Sequence, residues 1–528
     1  MRKLIIPLAF VVCLATVTCQ ASNWYVRQSC SSNGDGTASS CAASPGAPGS
    51  WKGFSNINWA SIKPADTLYL VSSETYVSPL NIGKSGTSGS PITITVSGGG
   101  TATIDVGNGT APAININGNS YVSVDGAYGN AVGGNTVYGI KVINIGASSY
   151  CGYEYNSGHH YRFLHIDCSG STPGSAQPDD NRGGFLLKAT GNGGVEVAFN
   201  WVHGPAFPQY SNKKWGATGV TLWASTGTSN FNDSLVHDNR VDQLYNDGIR
   251  CGSNCSVYNN EVSHIDGSGH SDSLLIQSGS YSAVFNNYVH DSGDQNIYLD
   301  NLYDSTCAHI RVYNNVVASA PGFGVVIDPE GAAGQGTAAS GCTTGSSAAW
   351  NDVLILNNTF AQTSAASIRW SQRGTVTNLV FKNNIFGNIS DGGYQNVDLG
   401  AANTFADANA WDYNVYATTS PSYPTIAAWK ASMTLSQMRA QSPSRETNGK
   451  TGNSSYVNAG ANDFHLSASD TVATGAGLNL ASTYAFLATD RDGNPRPPSG
   501  GAAWDLGAYV AGGGNAPDAP SGLSANAH

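Results

Sequence analysis

At 528 residues the chain is about twice an ordinary large domain, too long for one compact core. Its 40% hydrophobic content, 11 Trp and 25 Tyr exclude a disordered polymer. Only 11% of residues are charged, and a net charge of −11 without any basic run excludes nucleic acid as a partner. The same charge weighs mildly against a strongly anionic ligand, unless a local basic patch overrides it.

Residues 1–21 read as an export signal: Arg2 and Lys3 precede the apolar run LIIPLAFVVCLATV, with a small-residue cleavage point after Ala21. The run is short for a bilayer span. A lipoprotein anchor at Cys19 is the competing reading, with Thr16 and Thr18 poorly suited to it. The chain is therefore expected to be secreted or held at the cell surface, with no transmembrane segment. Eight cysteines remain beyond this stretch, and an even number in an exported chain predicts disulfides. Sequence neighbours give the pairs Cys30–Cys41, Cys151–Cys168, Cys251–Cys255 and Cys307–Cys342 as a hypothesis.

Residues 22–100 carry short β-rich runs (TLYLV, ITITV) between Gly, Ser and Pro turns, and read as a cap and first coils. The pattern continues through ATIDV, APAININ, YVSVDG, GIKVINI, YRFLHIDCSG and VEVAFN, with no helical periodicity. From residue 195 a repeat becomes explicit: VEVAFNWV, SLVHDNRV, CSVYNNEV, SAVFNNYV, IRVYNNVV, VLILNNTF and LVFKNNIF. Its asparagines are Asn200, Asn239, Asn260, Asn287, Asn315, Asn358 and Asn384, separated by 39, 21, 27, 28, 43 and 26 residues. A period of this length, with alternating apolar residues and Asn at a fixed corner, is what a parallel β-solenoid needs. The Asn amide can bend the chain while bonding to the Asn above and below.

On these repeats the chain resembles the right-handed parallel β-helix class of secreted polysaccharide-active proteins, over roughly residues 60–420. The expected fold class is all-β, a right-handed parallel β-helix with loop insertions. Residues 22–420 would form the catalytic β-helix with its N-terminal cap. Residues 421–512 would hold closing coils, with a helical or loop excursion between Thr425 and Met438. Residues 513–528 would be a linker or the start of a missing fibronectin III-like module.

A second strand follows each Asn corner, with Val220, Ile249, Leu274, Ile297, Val325 and Ile368 as its first inward residues. Alternation then points Trp223, Arg250, Gln277, Tyr298, Asp300, Asp328 and Arg369 outward. Asp247 and Asp272 share one position on adjacent coils, and Asp294 is displaced by one residue. Asp300 and Asp328 form a second stacked pair. Like charges one strand spacing apart raise each other's proton affinity, so one carboxyl can stay protonated beside a carboxylate. Glycoside hydrolysis uses that pairing. The candidate catalytic residues are Asp247, Asp272, Asp294, Asp300 and His270. Trp223, Arg250, Gln277, Tyr298, Asp328 and Arg369 are the candidate sugar-binding groups.

The placement resembles polygalacturonase- and dextranase-type hydrolases, whose aspartates precede this buried strand. NDGI (Asn246 to Ile249) fits their first motif. SD (Ser271, Asp272) and GDQ (Gly293 to Gln295) depart from the second and third, and the later basic motifs are absent. The resemblance implies a polysaccharide-degrading hydrolase that needs no cofactor and acts as a monomer. A calcium-dependent polysaccharide lyase is the first rival, with Asp247, Asp272 and Asp294 as cation ligands. No lysine lies between Lys214 and Lys382, so its base would be Arg250, Arg369 or His270. A non-catalytic carbohydrate-binding surface protein is the second rival. The bland reading of Asp247 is a turn cap, and His203, His237 and His290 read as exposed turn residues.

Overall fold

A computed structural model describes residues 20–127, 138–146, 149–170, 183–188, 193–204, 218–222, 233–265, 271–277, 281–293, 295–300, 307–319, 322–328, 349–370, 375–389, 396–398, 410–417, 427–429 and 431–512. The expected export signal lies almost wholly outside these residues, as does the 513–528 segment.

Three long sheets of 14, 13 and 13 strands run side by side, and their strands pair in parallel with their counterparts one coil away, except Ala431–Met433, which folds back antiparallel on Ala427–Trp429. This is a right-handed parallel β-helix. One coil shows the plan. Ser234–His237 lies in the first sheet, Arg240–Asp242 in the second and Ile249–Cys251 in the third, before Cys255–Tyr258 re-enters the first. Inward residues of all three sheets merge into one apolar core from Val26 to Met438. In the second sheet that core is a column of Val202, Val241, Val262, Val289, Val317, Phe360, Phe386 and Tyr416.

The corner between the first and second sheets sets the stacking. Each ladder Asn follows a residue in the left-handed region: Phe199, Asp238, Asn259, Asn286, Asn314, Asn357 and Asn383 all have φ between 52° and 59°. Asn and Asp tolerate that conformation better than most residues, which explains the recurring Asn-Asn pair. The second residue of the pair turns into the core and is wholly buried. Asn287 Oδ1 accepts from Asn260 N (3.0 Å) and Asn260 Nδ2 (3.0 Å). In turn Asn287 Nδ2 donates to Asn315 Oδ1 (3.0 Å) and Val257 O (2.9 Å). The same set recurs from Asn200 to Asn384 and extends one coil beyond the sequence repeat, to Asn414.

Glu446 occupies the next position. Its Oε1 accepts from Asn414 Nδ2 (2.6 Å) and Tyr416 Oη (2.7 Å), and its Oε2 from Asn414 N (3.3 Å). A carboxylate thus stands where another Asn amide would be.

The C-terminal chain does not simply extend the stack. After the capping-box helix Leu435–Arg439, it runs back along the outside of the corner. Leu480, Leu487 and Trp504 pack on Tyr313, Leu354 and Leu356, the outer face of the first sheet. Phe464, Ala508 and Tyr509 pack on Val316, Ala318 and Ala361, the outer face of the second. The left-handed asparagines grip this clasp. Asn314 Nδ2 donates to Thr489 O (3.1 Å), Asn357 Nδ2 to Gly507 O (3.3 Å) and Asn383 Nδ2 to Leu478 O (2.8 Å).

Two of the expected disulfides are formed, Cys30–Cys41 and Cys251–Cys255. Cys151 and Cys168 are instead free thiols, buried in the coil interior and hydrogen-bonded to each other. Their sequence proximity brings them together without cross-linking them. Cys342 lies outside the described residues.

Asn287→Ala strands the buried N–H of Asn260 and takes a side-chain donor from Val257 O, which should cost about 3 kcal/mol in urea denaturation. A loss within about 0.5 kcal/mol would remove the ladder from the stabilising elements. Glu446 gives a pH signature. Burial pushes its carboxyl up to about 7, against hydrogen bonds from Asn414 and Tyr416 that favour the charged form. The folded state therefore holds this proton more tightly than the unfolded chain does. Its stabilising contribution is complete below the ordinary Glu range and is lost as pH rises to about 7. Melting temperatures of the parent should fall over that window by more than those of Glu446→Gln; parallel profiles would contradict the assignment.

Candidate active site

Outward positions of the third sheet form one continuous row. Strand register aligns Asn81, Asn115, Tyr153, Leu186, Thr221, Arg250, Leu275, Tyr298, Val326, Arg369 and Asp398, one per coil. Two residues further along, Gln277, Asp300 and Asp328 align in a second row, so the expected Asp300–Asp328 stacking holds in the backbone. The side chains of Asp300 and Asp328 lie outside the description, as do Trp223, His270 and Asp294 altogether.

Asp247 lies two residues before its third-sheet strand and Asp272 opens the next one, at equivalent places, because Ile249 pairs with Leu274. Gly248 N donates to Asp272 O (2.9 Å), linking the two coils at that point. The glycine of the NDGI motif has a steric reason: a Cβ at Gly248 would sit 2.4 Å from Ser273 O and 2.7 Å from Val262 Cγ1. Gln295, and not Asp294, pairs with Asp272 on the following coil, matching the one-residue displacement.

Both carboxylates are fully buried. Arg250 Nη2 donates to Asp247 Oδ2 at 2.5 Å, from a guanidinium only 9% exposed. Asp272 N makes a long hydrogen bond to Asp247 Oδ1 (3.4 Å). Arg250 thus compensates Asp247, whose strand position is one strand spacing, about 4.8 Å, from that of Asp272.

The middle of the row is an apolar patch of Leu275, Tyr298, Phe323, Val326, Ala365 and Ala366. Tyr298 is 3% exposed and Gln277 8%. The guanidinium of Arg369 lies 4.5 Å over the Phe323 ring. Leu275, Tyr298, Val326 and Arg369 point away from the coil interior, as alternation requires, yet none of them lies open on the surface.

Sequence reading placed His237 and His290 on exposed turns. They are buried, at 7% and 9%, and each bridges two carboxylates. His290 Nδ1 pairs with Asp291 (2.8 Å) and Nε2 with Glu261 (3.4 Å). Burial opposes a charged His290, but those two acids outweigh it and push the imidazole up to about 9. His237 bonds Asp238 (2.7 Å) and Glu196 (3.3 Å) in the same way. His203 bonds Asp167 (3.0 Å), which also meets Lys141 (3.4 Å), and its ring stacks on Trp201. The signal was present: His203 and His290 lie three residues after a ladder Asn, and His237 two before one.

No family model matches the chain, and no curated protein does. Solved structures similar to it include pectate lyase Pel9A, with 16% identity over 93% of this chain and 97% of that one (TM-score 0.41). Another is XylC in complex with xylose, with 10% identity over 92% and 98% of the two chains (TM-score 0.41). A third is an alginate lyase from Paenibacillus sp. str. FPU-7, with 13% identity over 60% and 91% (TM-score 0.32).

Removing either partner of the Asp247–Arg250 pair takes a buried charge away from its counter-ion, so Asp247→Asn and Arg250→Ala should each cost about 3 kcal/mol. The double variant Asp247→Asn/Arg250→Gln should lose less than the sum of the corresponding single variants. Strictly additive losses in urea melts would show that the pair is not coupled.

Proposed function

We propose that this chain is an exported enzyme that cleaves a polysaccharide along the outer face of the third sheet. The observation that carries the reading is the Asp247–Arg250 ion pair set directly over Asp272 at the entry to that sheet. Structural solenoid corners need no such grouping, and among the described coils Gln295 and Phe323 hold the place aligned with Asp272 on the two that follow.

The pair supports β-elimination on a uronate polymer. Arg250 supplies a cation for the substrate carboxylate, and Asp247 fixes its fork. In that reaction a base removes the proton α to the carboxyl, the bond from the β-carbon to the glycosidic oxygen breaks, and a carbon–carbon double bond forms. The leaving oxygen takes up a proton. With Arg250 held as the cation and no lysine between Lys214 and Lys382, the base falls to Arg369 or His270. Hydrolysis is the second reading, favoured by the stacking of Asp247 and Asp272; there Asp247 would have to leave Arg250 before it could donate a proton. Calcium fits the pair poorly, because a guanidinium already occupies Asp247 and repels a second cation, so no step is routed through it.

The test offers the secreted protein polygalacturonate, alginate, xylan and dextran, following ultraviolet absorbance of an unsaturated uronate alongside reducing ends. The reading predicts absorbance on a uronate polymer, and a loss of about 10²-fold or more in Arg250→Lys and Asp272→Asn proteins that melt cooperatively. Reducing ends without absorbance would select hydrolysis. Full cleavage by both variants would remove this site.

A further inference from the structure

The same outward row carries a second feature toward its N-terminal end. Tyr150, Tyr153 and Tyr155 project from the third-sheet strand Tyr150–Glu154 and the residue after it. The rings of Tyr150 and Tyr153 have centroids 5.1 Å apart and lie 29° from parallel. Tyr153 and Tyr155 are 6.2 Å apart and 18° from parallel. Tyr150 and Tyr153 are half-buried, and Tyr155 is 40% exposed. This differs from Tyr298 on the same row, which is enclosed by its apolar neighbours.

The surroundings of the three rings are polar. The Lys188 ammonium lies 4.8 Å from the centre of the Tyr155 ring. On the coils below, the half-buried Asn115 donates from Nδ2 to Oδ1 of the exposed Asn81 (3.3 Å). Glu154, between the rings in sequence, turns inward and is spent on backbone N–H groups of Gly118 (2.7 Å) and Asn156 (2.6 Å). Here flat amphipathic rings are bordered by amide and ammonium donors, which is the chemistry that meets a pyranose: ring C–H groups on the aromatic face, hydroxyls at the edge.

We infer that Tyr150, Tyr153 and Tyr155 form a saccharide-stacking platform that holds the polymer away from the bond being cleaved. It rests on the reading of the third sheet as the polysaccharide face. Register supports continuity with the Asp247–Arg250 pair: Tyr153 and Arg250 occupy one row, separated by Leu186 and Thr221. Three strand spacings put them about 14 Å apart, room for a bound oligosaccharide to span both. Rings can hold either a neutral sugar or a uronate, and Lys188 favours the uronate.

Affinity electrophoresis through gels containing polygalacturonate, alginate, xylan or dextran tests this directly. The parent should be retarded by at least one polymer. Tyr155→Ala and Tyr153→Ala/Tyr155→Ala should lose about tenfold in affinity, while Tyr155→Trp keeps it, because a ring and not a hydroxyl is required. On a polymer that is cleaved, the alanine variants should raise KM with kcat nearly unchanged, whereas Arg250→Lys lowers kcat. If the parent is retarded without cleaving, and the alanine variants are not retarded, the platform stands and the enzymatic reading fails. Unchanged retardation and KM in the double alanine variant, with a parent-like melt, overturns the platform. So does a parent that no polymer retards.

Discussion

Everything in this molecule depends on one corner being repeated in register. A left-handed residue turns the chain, and the buried asparagine after it must find donors and acceptors from the coils on either side. An unpaired amide at that depth would be costly, so a coil shifted by one residue is penalised at the corner as well as in the apolar column behind it. Loops of very different length can then be inserted elsewhere in a coil without disturbing the alignment. The spacings of 21 and 43 residues between successive ladder asparagines are both absorbed this way.

Register turns scattered residues into rows, and the rows carry the chemistry. Asp247 and Asp272 meet because their strands are aligned, 25 residues apart in sequence. The same device spaces His237 between Glu196 and Asp238, and His290 between Glu261 and Asp291. Each outer face thus acquires its own strip of compensated charges. The third sheet differs in burying the Asp247–Arg250 pair, and in offering tyrosine rings on the same line.

Much of this was legible in the sequence. The asparagine repeat marked the coils, two-residue alternation assigned inward residues, and together they aligned Asp247 with Asp272 and Asp300 with Asp328. Alternation says only which way a side chain leaves its own coil. It does not say whether something else then covers it, and so Tyr298 and Arg250 read as surface groups although they are buried. The clasp was hidden for a related reason. Its hydrogen bonds join residues as far apart as Asn314 and Arg496, and the C-terminal partner has no periodic signal. Tyr153 and its neighbours were overlooked because their coils lie before the explicit repeat, where no ladder Asn supplies a register.

The carboxylate of Glu446 bears on how such a molecule stays separate from its own copies. A stack of parallel strands ends in unpaired backbone groups that can template another chain, and an amide ladder would extend that invitation, since each amide both accepts and donates. An ionised carboxylate only accepts. It satisfies Asn414 on one side and, once charged, has no proton to pass to a further rung. The polarity of the ladder therefore stops within the chain. Glu446 is itself fully buried, and Arg439 of the short helix donates to its backbone oxygen, so the last rung is closed inside the fold and is not offered at the end of the stack.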